Sequence, residues 1–335
     1  MNQSNTPKTL LSVSPSPHLR GKDTTGSIMM DVIIALAPAA VWGVYVFGTR
    51  ALLMIAVCIL SCVGAELVTQ LILRRAVTIG DFSAVVTGLL LAMNLPVTLP
   101  LWQAVIGSVF AIVLVKQVFG GIGKNFMNPA LAGRAFLMLA FAGSMTKFTA
   151  AYDRLWLSAA DAVATATPLA SLKGGVLPEA SLLDVLLGRT GGCIGEVSAI
   201  LLLAGGIYLL ARKVISWRIP VTYLGTVALL SFVICRADGA RWEVMLYELL
   251  TGGLMLGAFF MATDYVTSPV TKWGKVVFGI GCGALTVLIR TFGGYPEGVS
   301  FSILIMNALV WYLDSAFRPR VFGKSKGKGK VTAHG

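Results

Sequence analysis

The amino-acid sequence predicts an all-α polytopic membrane protein of about ten transmembrane helices, and three observations predict it. Of 335 residues, 56% are apolar and only 13% are charged, against roughly 25% charged in a soluble domain. Ten apolar runs recur between residues 29 and 316, most of them close to the roughly 20 residues a helix needs to cross hydrocarbon. The 27 Lys plus Arg are spread unevenly among the connections. A net charge of +12 then reads as topology rather than as a nucleic-acid footprint. The basic residues are not interleaved with aromatics, and six of them lie in the last 18 residues.

The chain opens on a Ser-, Pro- and Thr-rich tail, residues 1–28, carrying Lys8, Arg20 and Lys22. No apolar stretch with a small-residue cleavage site follows at the usual distance, so no cleaved signal peptide is expected. Apolar runs at about 29–48, 51–73, 82–97, 101–119 and 127–146 form a first set of five, residues 29–146. The third is short: 15 uncharged residues from Phe82 to Pro96 precede the turn Pro96-Val97-Thr98-Leu99-Pro100. A half-helix or re-entrant segment suits that length. Residues 147–194 are polar and mixed in charge, nearly fifty in number, and connections of that length usually carry function. Runs at about 195–211, 219–235, 245–262, 276–292 and 298–316 make a second set, residues 195–317, before a basic tail, 318–335.

An even number of crossings puts both termini on one side. Taking that side as cytoplasmic places 19 basic residues inside and 8 outside, the bias expected of cytoplasmic connections. Residues 147–194 then lie outside.

The two sets echo each other. Thr87-Gly88-Leu89-Leu90-Leu91 has a counterpart in Thr251-Gly252-Gly253-Leu254-Met255, and Met127-Asn128-Pro129-Ala130-Leu131 in Met306-Asn307-Ala308-Leu309. Partners five spans apart cross in opposite directions, which predicts an inverted 5+5 repeat. Such folds place ligand sites where broken helices expose backbone groups at mid-membrane.

Rare residues narrow the chemistry. His18 and His334 both sit in polar tails, so a His-based triad, haem ligation or an intramembrane His metal site is not expected. Cys58, Cys62, Cys193, Cys235 and Cys282 are scattered, without the converging spacing of zinc or iron–sulfur sites. They read as buried structural thiols.

Two features draw a functional reading. The connection Gly120-Gly121-Ile122-Gly123-Lys124-Asn125-Phe126-Met127-Asn128-Pro129-Ala130 is no Walker A loop, since Asn125 follows Lys124 where Ser or Thr is required. Its glycines allow close backbone approach, while Lys124 and a helix opened by Asn128-Pro129 favour an anion or an electron-rich ring. A tight interhelical turn with Pro at its first helical position explains the same residues equally well. Among the acids, Glu66 lies well inside the second run, where an ionisable group is costly and tends to be functional. Snorkelling toward Arg74 or Arg75 is the plain alternative. Asp31, Asp81, Asp264 and Asp314 sit near span ends, where capping or interfacial hydration accounts for them.

The segment Asp161-Ala162-Val163-Ala164-Thr165-Ala166-Thr167-Pro168-Leu169 resembles the D-x-x-(S/T)-G-A-T flavinylation motif of one membrane-protein family. That family comprises RnfD, a membrane component of the Rnf electron-transport complex, and NqrB, its relative in the sodium-translocating NADH:quinone reductase. Asp161, Ala166 and Thr167 match, whereas Ala164 and Thr165 depart from the pattern. Gly120 to Ala130 is similar to the family's GGxGxNxxNPA segment, Ser83 to Pro96 to its S-x-x-x-TGLLLA-x-x-LP, and Phe260-Met261-Ala262-Thr263-Asp264 to Lys275 to its FMATD...GK. The order is kept over most of the chain, and the length suits the RnfD type.

The resemblance implies flavin mononucleotide (FMN) joined through its phosphate to the Thr167 hydroxyl on the non-cytoplasmic side by a dedicated flavin transferase. Asp161 and Ala166 belong to that motif, and Gly121, Lys124 and Asn128 are further cofactor-binding candidates. A second, noncovalent flavin (riboflavin) is a further expectation. It also implies a urea-transporter-like 5+5 bundle in a bacterial cytoplasmic (inner) membrane, with the A, B, C, E and G components of the Rnf complex as partners. Electrons would pass between NADH and ferredoxin branches coupled to Na⁺ or H⁺ movement, with Glu66 and Asp264 as ion-path candidates. No separate metal site and no nucleic-acid partner are expected. The competing reading is a solute channel of the same fold without a redox role, in which Asn128 and Asn307 line a polar pore and Thr167 is an ordinary loop residue.

Overall fold

The computed structural model describes residues 24–152, 167–196, 198–235, 239–294 and 297–318. Asp161 and Ala166 therefore lie outside the described residues, as do Thr165 and most of both tails. Helices account for the architecture, and no β-strand occurs among the described residues.

Local chemistry sets the helix ends. At α1 (Thr25–Phe47), Thr24 Oγ1 accepts from Ser27 N at 3.2 Å while Ser27 Oγ accepts from Thr24 N at 2.9 Å, a reciprocal capping box. Gly48, at φ 80°, ends α1 and lets α2 (Thr49–Ile72) start at once. The third element, α3 (Ser83–Met93), has 11 residues, which at 1.5 Å per residue is about 16 Å, roughly half the hydrocarbon core. α4 (Leu101–Val109) continues into a π-helix, Phe110–Gln117. α5 (Pro129–Ala140) is capped by Asn128 and followed by one turn, α6 (Ala142–Met145). The long connection carries two short helices, α7 (Pro168–Lys173) and α8 (Leu182–Leu187).

The second set comprises α9 (Ala199–Ala211), α10 (Arg218–Ile234), α11 (Arg241–Leu250), α12 (Leu254–Leu256) running into a π-helix, Gly257–Met261, then α13 (Lys272–Phe292) and α14 (Val299–Ala316). Helices α1, α2, α13 and α14 are long and apolar enough to cross a membrane. The α11 and 254–261 pair, bent by 60°, qualifies as a fifth if it is one span. Five shorter apolar helices accompany them: α3, Leu101–Gln117, α5, α9 and α10. Large apolar side chains such as Leu60, Leu139 and Leu229 point outward, a surface suited to lipid and not to water. The protein is a polytopic, all-helical membrane protein.

Two faces can be assigned from contacts. On the N-face, where α1 begins, Arg75 Nη1 donates to Gln117 O at 2.8 Å and Val270 N donates to Asp314 Oδ1 at 3.0 Å. On the opposite, loop face, Thr98 Oγ1 donates to Lys147 O at 2.6 Å and Tyr247 OH to Ala180 O at 2.8 Å. Close helix contact holds the bundle together. A Cβ on Gly88 of α3 would stand 2.7 Å from Ile59 Cα and 2.9 Å from Cys58 O of α2, so only glycine permits this packing. The eighth apolar run is broken, not continuous: Gly252 and Gly253 take φ 67° and 66° between α11 and α12, a conformation that favours glycine.

The basic residues need one correction. Four residues in those totals, Lys116 and Arg134 among the 19 and Arg50 and Arg290 among the 8, are buried in the bundle. Setting the four aside leaves 17 against 6, and the asymmetry survives. Charge counts misplace Lys116, Arg134 and Arg290 because their counter-charges lie far away in the sequence.

Candidate functional site

A cavity of about 360 Å³ lies toward the N-face, lined by Ser83 and Thr87 of α3, Lys116 of the first π-helix, Asn125, Asn128 and Asp264. Its apolar wall comes from Met29 and Val32 of α1 and from Phe259 and Phe260 of the second π-helix. Both π-helices thus border the cavity, and such helices often mark functional sites. An apolar cleft with a few converging polar groups is the usual form of a small-molecule site.

Behind it is a buried polar network. Lys116 Nζ donates to Glu66 Oε2 at 2.8 Å and to Ser83 Oγ at 2.6 Å. Glu66 is 1% exposed and Lys116 3%. Glu66 Oε1 accepts from Gln117 Nε2 at 2.7 Å and from Gln70 Nε2 at 3.2 Å. Ser83 Oγ in turn donates to Asp81 Oδ1 at 2.6 Å. The partner of Glu66 is therefore Lys116, and not Arg74 or Arg75: snorkelling is unnecessary where a cation from the neighbouring helix arrives at the same depth. Removing one member of such a pair typically costs about 3–5 kcal/mol, because the other charge stays buried.

At the inner end of the cavity Asn128 has three tasks. Its Oδ1 accepts from Ala130 N at 3.0 Å and Leu131 N at 3.3 Å, capping α5, with Pro129 at the first helical position. Its Nδ2 donates to Met261 O at 3.3 Å, tying α5 to the second π-helix. Its backbone N–H faces Asn307, whose side-chain oxygen accepts it at 3.1 Å once that amide is oriented to satisfy its neighbours. The two asparagines singled out in the sequence thus meet directly, although Asn307 lies inside α14 and not at a helix start. Gly121 and Lys124 do not join them. Lys124 is exposed, its stem folded against Gly120, and neither residue lines the cavity. Asp264 does. Burial pushes its carboxyl above the usual range, opposed by hydrogen bonds from Thr267, Val266 and Tyr265.

At the loop face, Thr167 caps α7. Its Oγ1 accepts from Ala170 N at a long 3.3 Å, and the residue is 6% exposed. It shares a recess of only about 10 Å³ with Glu196, Thr251, Gly252 and Glu297, far too small for a phosphate. Among the described residues, one long hydrogen bond holds the hydroxyl, and its oxygen would still accept that bond as an ester. A flavin attached there would lie outside the packed recess.

Two buried cations stand behind Thr167. Arg290 donates to Glu248 O at 2.6 Å and to Thr251 O at 3.0 Å, closing the end of α11. Arg134 donates to Ser300 Oγ at 2.6 Å and pairs with Glu297. Cys193, Glu196 and Glu297 offer ligand atoms within 4.8 Å of one another. The Arg134 guanidinium contacts two of the three, Cys193 and Glu297. Sequence reasoning missed Lys116, Arg134 and Glu297. The signal for Lys116 and Arg134 was an ionisable residue inside an apolar run, and for Glu297 one just before a run.

The profile of the NQR2, RnfD, RnfE family matches residues 12–323. The D component of the Na(+)-translocating ferredoxin:NAD(+) oxidoreductase complex of Acetobacterium woodii is 48% identical over 326 residues, covering 96% of this chain and 98% of the relative. The proton-translocating counterpart of Clostridium ljungdahlii is 43% identical over 329 residues, covering 94% and 97%. The D component of the ion-translocating oxidoreductase complex of Stutzerimonas stutzeri is 38% identical over 340 residues, covering 93% and 96%. Matched over nearly its whole length by the profile and by these relatives, the chain belongs to the NQR2, RnfD, RnfE family.

Proposed function

We propose that the chain is the RnfD-type membrane component of an ion-translocating ferredoxin:NAD⁺ oxidoreductase complex, carrying electrons by flavin in step with Na⁺ or H⁺ movement. End-to-end similarity to RnfD proteins supports the role. The observation that carries the flavin reading is convergence: the 83–96, 120–130 and 260–264 segments, far apart in sequence, border one cavity.

In this reading the N-face cavity holds a noncovalent flavin such as riboflavin, and Thr167 carries FMN through a phosphoester installed by a flavin transferase. When bound, the flavins supply one- and two-electron chemistry. This chain's residues do the rest. Apolar walls exclude water, Asn128 ties α5 to the second π-helix at the cavity end, the Ser83 hydroxyl can accept a hydrogen bond, and Glu66 answers changes of charge in the cavity. Glu66 and Asp264 are the ion-path carboxylates. The polypeptide crosses a bacterial inner membrane ten times as an inverted 5+5 bundle of urea-transporter type, from 29–146 and 195–317. Both tails are cytoplasmic and the 147–194 segment is outside. The A, B, C, E and G components complete the complex, and lipid surrounds it.

A solute channel is the weaker reading, because Asn128 and Asn307 spend their polar groups on each other and on backbone. The test is flavin stoichiometry. Acid denaturation of the purified complex is expected to release one flavin from this polypeptide and leave one attached to it. A polypeptide with neither would overturn the reading.

A further inference from the structure

We propose that Lys116 is a shared positioning cation, held between Glu66 and the electron-rich edge of the ligand in the N-face cavity, and that it sets that ligand's reduction potential. The inference rests on the cavity holding a noncovalent flavin, as proposed above.

Four observations carry it. Among the described residues, Lys116 is the one cation in the cavity lining. An ammonium has three donors; two go to Glu66 and Ser83, which leaves one for the cavity. Glu66 is arranged to tolerate movement of its partner: Gln117 and Gln70 both serve Oε1, so only Oε2 depends on Lys116. Finally, Lys116 sits near the end of a π-helix whose closing bond, Val118 N to Val113 O, is 2.9 Å. Lys116 and Gln117, the last two residues of that π-helix, both reach the Glu66 carboxylate.

The charged groups around the ammonium are Glu66 of α2, Asp81 reached through Ser83, and Asp264 across the cavity. In the resting arrangement Glu66 neutralises Lys116. Two electrons delivered by the ferredoxin:NAD⁺ reaction, with one proton drawn from water onto the ligand, leave the ligand with one added negative charge. Lys116 keeps its three protons and shifts toward that charge. Glu66 Oε2, losing its counter-ion, takes up one monovalent cation, a proton or Na⁺, so that charge stays balanced. In a low-dielectric site each of these interactions is large compared with its value in water.

The measurement is a potentiometric titration of the noncovalent flavin in the intact complex. Lys116→Met is expected to weaken the preference for the reduced form at least tenfold, a fall of about 30 mV for a two-electron couple. Glu66→Gln, which frees the ammonium, is expected to raise the potential, and Lys116→Arg to stay near the parent value. Opposite signs are the signature, because a purely structural pair would move both variants alike. If Lys116→Met does not assemble, the double variant Lys116→Met/Glu66→Gln replaces it; a potential below that of Glu66→Gln supports the inference. Equal potentials, or single variants that retain flavin and shift together or not at all, would overturn it. A parent complex without releasable flavin would instead remove the reading of the cavity, and this inference with it.

Discussion

The two ends of the bundle are built on opposite plans. Toward the N-face, helices α1 and α3 and both π-helices stand apart around a cavity of about 360 Å³, and among the described residues one cation, Lys116, reaches its lining. At the loop face the comparable charged groups, Arg134 with Glu297 and Arg290 with Glu248, are packed against backbone and against each other, and the recess beside Thr167 is about 10 Å³. A noncovalent ligand must recover its binding free energy from enclosed surface. A covalently attached group needs only a reachable hydroxyl, so its protein can stay closed. If Thr167 carries a tethered flavin, as proposed, that end of the molecule needs no cavity to hold it.

Breaking the proposed tether gives the largest expected effect. Thr167→Val should abolish in-gel flavin fluorescence of the polypeptide expressed with its transferase, while Thr165→Val should leave it. The reverse result would move the attachment by two residues. Next comes the buried pair. Glu66→Leu strands Lys116 in the bundle and should destabilise the protein by about 3–5 kcal/mol, seen as a large fall in detergent thermal stability. Restoring neutrality with Lys116→Met on the same background should recover most of it. No recovery would mean that the carboxylate matters for something other than Lys116.

These contrasts also show what a sequence reveals. Asn128-Pro129 is legible because a helix start is local: the cap and its N–H partners lie within three residues. The short α3 is legible from its length between Phe82 and Pro96. The Glu66–Lys116 pair is not, since fifty positions separate its members and only the packing of α2 against the first π-helix joins them. Arg134 and Glu297 are further apart still, and pattern alone suggests neither. Asp161 and Ala166, central to the flavinylation motif, lie outside the described residues, so their part rests on resemblance.

Asn128→Ala should have a moderate effect at the cavity end alone. Loss of the α5 cap costs about 1 kcal/mol, and loss of the Met261 tie should loosen the noncovalent flavin up to about tenfold without touching fluorescence at Thr167. Equal loss of both flavins would merge the two ends into one site. The smallest effect belongs to Arg212→Gln. Its pairing with Asp31 at 3.1 Å is half exposed, a class worth roughly 0–1 kcal/mol, so thermal stability and both flavins should stay near the parent values. A reporter fusion near Leu182 checks the orientation: it should behave as non-cytoplasmic, and a cytoplasmic signal would put the tethered flavin on the wrong side.

If one chain holds two flavins by different means, as proposed, filling the cavity should remove one and spare the other. Val86 lines the N-face cavity, and Val86→Trp would occupy its volume while leaving the loop face alone. Releasable and polypeptide-bound flavin should be quantified in the same acid-precipitated sample of the assembled complex. Releasable flavin should be lost with in-gel fluorescence unchanged, and Thr167→Val should give the mirror image. Full retention of releasable flavin in Val86→Trp would contradict the proposal.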